Sequence, residues 1–270
     1  MRAGAPREPR FARLRGARRI WAVAAIHGDA ERLARLHDRI FARLRRGDRI
    51  VYLGNYLGHG EAVGPAVDEL LDFRRRFIAR RAAFSCDVVF LRGAQEEMWQ
   101  KLLQLQFAAD PRSVLSWMVE EGIEPTLRAY GGELRQGMAA ARDGPITITR
   151  WTSALRAAMN AAPGHTTLFA SLVHAAYTDE SGLLFVHAAV DPRRALAAQG
   201  DTLWWGGPDI LEMGRPFGGF RRVIRGFDRE SRGLVERDHA VSLDAGAGRG
   251  GALLSVCLDN YGTIVETVEA

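Results

Sequence analysis

Three times in the first hundred residues an apolar run gives way to a polar, glycine-bearing loop and then to a stretch with apolar residues three and four apart. Ile20 to Ile26 reads as a short buried strand, and His27-Gly-Asp29 breaks it. Leu33, Leu36, Ile40 and Leu44 then mark one face of a helix whose other positions carry Arg and Asp. Arg49 to Leu53 runs into the loop Gly54 to Gly60, with a helix over about 63–80, and Asp87 to Leu91 runs into Arg92 to Glu96 and another helix to about Phe107. This predicts β-loop-α units of a parallel sheet with the loops along one edge, where α/β proteins place their chemistry. Asp29 is expected to cap the first helix, and Glu96 and Glu97 to open the third, where carboxylates meet the positive end of the dipole.

From 108 to 162 the pattern is helical and interrupted by Pro111, Pro125 and Pro145, which predicts a helical insertion or cap. Beyond it the pattern becomes strand-like at 172–177, 183–187, 222–224, 239–243, 252–258 and 263–268. Asp179 to Gly182 and Asp259 to Gly262 suit hairpin turns. Parallel units first and hairpins later imply a mixed α/β (α+β) chain of two packed sheets with helices outside. Residues 1–18 read as a disordered basic arm and 19–270 as one domain.

Composition changes this picture little. With 47% hydrophobic and 26% charged residues the chain is globular. The net charge of +5 raises a nucleic-acid partner as an alternative, acting through the arm with Arg2, Arg7, Arg10, Arg13, Arg15, Arg18 and Arg19. Against it, arginines are spread along the whole chain and Lys101 is the only lysine, a bias that fits a GC-rich coding genome. Cys86 and Cys257 make no disulfide framework, which points to a reducing cytoplasm. No apolar stretch approaches the ~18 residues of a membrane span.

The candidate chemistry sits in five ordered segments: Ala24-Ala-Ile-His-Gly-Asp29, Leu53-Gly-Asn-Tyr-Leu-Gly-His-Gly60, Leu91-Arg-Gly-Ala-Gln-Glu96, Leu184-Phe-Val-His-Ala-Ala-Val-Asp-Pro192 and Val223-Ile-Arg-Gly-Phe-Asp228. They resemble, in order, the Gly-Asp-x-His-Gly, Gly-Asp-x-x-Asp-Arg-Gly, Leu-Arg-Gly-Asn-His-Glu, Phe-Val-His-Ala-Gly-x-x-Pro and Val-x-His-Gly-His-Thr segments of the calcineurin-like metallophosphoesterases. The similarity is to the bacterial branch of serine/threonine protein phosphatases and diadenosine tetraphosphate hydrolases. Leu203-Trp-Trp205 and Ser242 to Gly248 also fit that branch. The resemblance implies a metallophosphoesterase-type αββα sandwich. It also implies two divalent cations that activate a bridging water, carboxylates that bridge and neutralise them, and a His-Asp dyad that protonates the leaving group.

Residue by residue, the chemistry is missing. Ala25 stands for the first Asp, Asn55 for the bridging Asp, Gly58 for the dyad Asp and His59 for the Arg after it. Ala94 replaces the metal-binding Asn, Gln95 the dyad His and Phe227 the last ligand His. His27, Asn55 and His187 are the residual metal donors, an insufficient set, and no catalytic residue remains. His59, Arg92 and Arg225 are candidates for holding an anion, with Arg225 pointing a guanidinium into the vacated space. The plainer readings are satisfied structural histidines, a loop-anchoring Arg92, a surface Arg225 and a packing role for Trp204 and Trp205. Gly246, Gly248, Gly250 and Gly251 read as a turn or bulge, and His37, His165, His174 and His239 as structural.

The sequence thus points to an inactive homologue, a pseudophosphatase that binds, scaffolds or regulates. It would require no cofactor, or at most a weakly bound Mn or other divalent metal, and its partner would be a protein or phosphorylated ligand. The alternative within the same fold is a weak, single-metal-dependent phosphoesterase.

Overall fold

The computed structural model describes residues 11–179 and 182–270. Residues 1–10 of the expected arm, and Glu180 and Ser181 of the first expected hairpin turn, lie outside the described residues. The described residues form the strands β1 Phe11–Arg13, β2 Arg19–Val23, β3 Asp48–Tyr52, β4 Val88–Phe90, β5 Ala175–Tyr177, β6 Leu183–Val186, β7 Arg222–Arg225, β8 Val235–Glu236, β9 Ala240–Ser242, β10 Leu254–Asp259 and β11 Ile264–Glu269. The α-helices are α1 Ala30–Phe41, α2 Val63–Ile78, α3 Ala94–Leu102, α4 Pro111–Glu120, α5 Glu124–Ala129, α6 Leu134–Asp143, α7 Pro145–Ala161, α8 His165–Ala170 and α9 Thr202–Trp205.

The strands build two mixed sheets, ordered β11-β10-β2-β3-β4 and β1-β5-β6-β7-β9-β8. In the first, β2, β3 and β4 run parallel, and β10 closes the other side antiparallel to β2. In the second, β6, β7 and β9 run parallel. Strand alternation makes the sandwich. Leu183 and Phe185 of β6, Ile224 of β7 and Val241 of β9 belong to one buried cluster with Ile20, Ala22, Val51 and Val256, which share a face of the first sheet. Their neighbours Leu184, Val186, Val223 and Ala240 face the opposite way, onto Leu203, Trp204, Ile210 and Phe217. Asp29 does cap α1, its Oδ1 accepting from Arg32 N at 3.1 Å, and Leu33, Leu36 and Ile40 are buried as the three–four spacing requires. Among the described residues no helix is long and apolar enough to cross a membrane.

Two differences from the sequence reading matter. Residues 11–13, inside the expected disordered arm, form β1 and pair in parallel with β5. Phe11 packs on the outer apolar cluster and Leu14 is buried, so the apolar residues between the arginines tie this segment down. The expected strand at Leu172 begins only at Ala175, because α8 extends to Ala170. Val173 still bridges Leu91 at the end of β4.

The helical insertion reaches over the strand-end loops. Thr126 Oγ1 accepts from Gly58 N at 3.0 Å, Gly122 O from His59 N at 3.1 Å, and Glu121 O from Gln95 Nε2 at 2.7 Å. The turn between α4 and α5 is therefore a roof on the loops that carry the motif residues.

Candidate functional site

The loops after β2, β3, β4, β6 and β7 meet at the strand ends of the two sheets, and their backbones are stitched to one another. Asn55 O accepts from Ile26 N and His27 N (3.0 and 2.7 Å), and Gly226 O accepts from Ala25 N at 2.9 Å. His187 O accepts from Gly226 N and Phe227 N at 3.1 and 3.0 Å. His27 and Asn55 adopt left-handed backbone, with φ of 51° and 54°. That conformation is costly for His, and it aims both side chains into the same space.

Glu96 holds this arrangement. Its Oε2 accepts from Asn55 N and Gly93 N, both at 2.9 Å, and its Oε1 from Tyr56 N at 2.8 Å and Leu57 N at 3.1 Å. Burial pushes its carboxyl above the ordinary value, and the four N–H donors pull the other way. Sequence reasoning placed Glu96 at a helix start and missed this role. It is the last residue of the third motif and the only carboxylate left in that segment's core, and that position was the available signal.

Asn55, expected from the sequence to stand where a bridging carboxylate would, is engaged inside the protein. Its Oδ1 accepts from Gln95 N at 2.9 Å, which fixes the amide orientation and leaves Nδ2 facing His27 Nε2 at 3.3 Å. His187 donates Nδ1–H to Leu53 O at 2.6 Å, which leaves the lone pair on Nε2. That Nε2 is buried without a hydrogen-bond partner, and the Phe227 ring stacks on the imidazole at 5.2 Å and 10°. Burial holds His187 down to about 4. It also holds His27 well below its ordinary value, helped by His59 and Arg249, and it lowers His59, with Arg249 adding to the effect. The imidazoles are thus neutral near pH 7.

These donors do not fit two divalent cations. Such a pair needs bridging and neutralising carboxylates, whereas the positions hold an amide already hydrogen-bonded at both ends, two neutral imidazoles and the ring of Phe227. Among the described residues no three His, Cys, Asp or Glu side chains are grouped so as to hold a metal ion.

The expected anion-binding trio is not brought together. His59 lies beside His27, ring centroids 4.8 Å apart, in a cleft of 180 Å³ that Asn55, Gln95, Trp204, Trp205 and Phe227 also line. Arg92 lies elsewhere, in a cavity with Trp99 and Met159, and is paired with Glu97 at 3.0 Å and with Gln100. Arg225 is neither a surface residue nor a free cation. It is buried between Asp209 and Asp228, both at 3.1 Å, with Nε donating to Ser242 Oγ, and Arg232 completes the network. Both arginines are held by carboxylates of this chain at 3.0 to 3.1 Å, and neither lines the cleft beside His27. The arginines that do line the cleft are Arg229 and Arg249, and its carboxylates are Glu120 and Glu121. Arg249 was read only as part of a glycine-rich turn, and Arg229 has no signal beyond following the fifth motif.

No protein-family model matches the chain, and no curated protein does. Solved structures do. A candidate diadenosine tetraphosphatase superposes with a TM-score of 0.55 at 17% identity, covering 97% of this chain and 98% of its own. A protein serine/threonine phosphatase from Saccharomyces cerevisiae gives 0.51 at 14%, covering 97% and 84%. A cold-active protein tyrosine phosphatase gives 0.51 at 12%, covering 96% and 80%. With two mixed sheets packed between helices, and these neighbours along nearly the whole chain, the protein has the fold of the calcineurin-like metallophosphoesterases.

Proposed function

We propose that this chain is a pseudophosphatase: it keeps the phosphoesterase scaffold and uses the strand-end loops to bind a ligand or partner instead of hydrolysing a phosphoester. The observation that supports this reading is Asn55. At the position where two cations would require a shared negative charge, its carboxamide links His27 Nε2 to the first turn of α3. A neutral amide cannot offset the repulsion between two dications a few Å apart. The dyad positions carry Gly58 and Gln95, so proton donation to a leaving group also lacks its residues. The scaffold around them is maintained by Glu96, so the loss concerns chemistry and leaves the fold intact. A cytoplasmic site of action and a protein or phosphorylated partner belong to this same reading.

The test is metal content by mass spectrometry on the purified chain, with a phosphatase assay in added manganese. We expect sub-stoichiometric metal and turnover at background. Stoichiometric metal, with turnover abolished by His187→Ala, would overturn the reading in favour of a single-metal phosphoesterase.

A further inference from the structure

The cleft beside His27 and His59 has charges of opposite sign on different elements, and that division says what could enter it. On the side of α4 stand Glu120 and Glu121, at the helix end whose free carbonyls favour cations. Trp117, one turn before Glu120, is exposed and meets Trp205 edge-on at 5.5 Å, and Trp205 lines the cleft. Carboxylates beside tryptophan faces suit an organic cation. The loops after β7 and β9 supply Arg229 and Arg249. Arg249 donates to Ser231 Oγ at 2.7 Å and stands 3.6 Å from Asp244. The exposed Arg229 has no ion pair or side-chain hydrogen bond among the described residues. Two guanidinium groups suit a phosphate monoester.

Two further observations bear on a ligand. Gln95 and Trp204 line the same cleft and are both more than nine-tenths buried, yet Gln95 Oε1 and Trp204 Nε1 have no hydrogen-bond partner. Buried polar atoms left alone cost free energy. The cleft's 180 Å³, roughly six water volumes, is too small for a drug-sized molecule and matches a compact polar one. Arg229 and Arg249 set against Glu120, Glu121 and the Asp244 beside Arg249 leave no surplus positive charge for a simple anion, while a dipolar molecule gains at both ends.

We propose that this cleft binds, without metal, a small phosphomonoester bearing a cationic amine, its phosphate between Arg229 and Arg249 and its amine against Trp205, Glu120 and Glu121. This rests on the binding reading above and names its ligand class. The test is isothermal titration of the full chain, in EDTA, with phosphocholine and phosphoethanolamine, and with inorganic phosphate, choline and ethanolamine as single-ended controls. At least one zwitterion is expected to bind tenfold or more tightly than every control. Arg229→Ala and Glu120→Gln, both at exposed positions, are each expected to cost tenfold or more of that affinity, with melting unchanged. Phosphate binding as tightly as the zwitterions, affinity indifferent to both substitutions, or no binding by any probe would overturn the proposal. Because the titration contains EDTA, its outcome is independent of whether the manganese assay finds turnover.

Discussion

At the scale of single residues, the site is defined by the hydrogen bonds each side chain makes within the protein. His187 is the clearest case, because its Nδ1–H donates to Leu53 O while Phe227 covers the ring. Burial lowers its folded value to about 4 from the ordinary 6.5. The native state therefore binds fewer protons here than the unfolded chain, and the group contributes stability above pH 6.5 that is lost as pH falls toward 4. A shift of that size corresponds to about 3 kcal/mol. His27 and His37 are lowered by burial as well and act in the same direction. His187→Asn keeps a donor near Leu53 O and removes the titration. We expect urea unfolding of the variant to fall less steeply between pH 7 and pH 4.5 than that of the parent chain. Parallel pH profiles would show that His187 does not titrate in that window.

At the scale of elements, the helical insertion was legible as helix but not as packing. Its prolines punctuate it, and α4, α5 and α7 each begin with proline within the first two positions. What periodicity did not reveal is how α6 and α7 approach. Gly137 lies inside α6, where glycine costs about 1 kcal/mol against alanine, so Gly137→Ala would ordinarily stabilise. A Cβ built there would lie 2.6 Å from the Trp151 ring and 3.2 Å from Leu115. Trp151 is a rigid, buried ring, so the overlap has to be relieved by moving the helices apart, at about 1–3 kcal/mol. We expect Gly137→Ala to lower the melting temperature; a rise would mean that the two helices part at little cost. Strand β1 shows the complementary gap. Three residues with one aromatic side chain carry too little alternation to be read as a strand, and only pairing with β5 makes them one. The core strands were read to within a few residues because runs such as Ile50 to Leu53 are apolar throughout, as strands buried on both faces must be.

At the scale of the whole molecule, the ordered spacing of five segments was enough to place the strand-end loops of two sheets together. The motifs even survive as backbone turns, His27 and Asn55 in left-handed conformation included. Side-chain partners were not legible. Arg92 and Arg225 looked like free cations because Glu97, Asp209 and Asp228 approach them only in three dimensions. Glu96 looked like a helix start because its four N–H donors come from two separate loops. Those contacts carry a consequence for the molecule as a unit. A two-metal enzyme uses its cations to hold its loops together, so metal binding adds to folding free energy: an ion at one hundred times its Kd contributes about 2.7 kcal/mol. In a chain of this size that amounts to roughly 5–10 °C of melting temperature. Here Glu96, Asn55 and the Asn55–His27 backbone pairing fasten the same loops from within. We therefore expect the melting temperature in millimolar manganese to match that in EDTA to within about 1 °C. A rise of several degrees that saturates with manganese and disappears in His27→Ala would mean that the loops still depend on an ion, and that the internal fastening alone does not hold them.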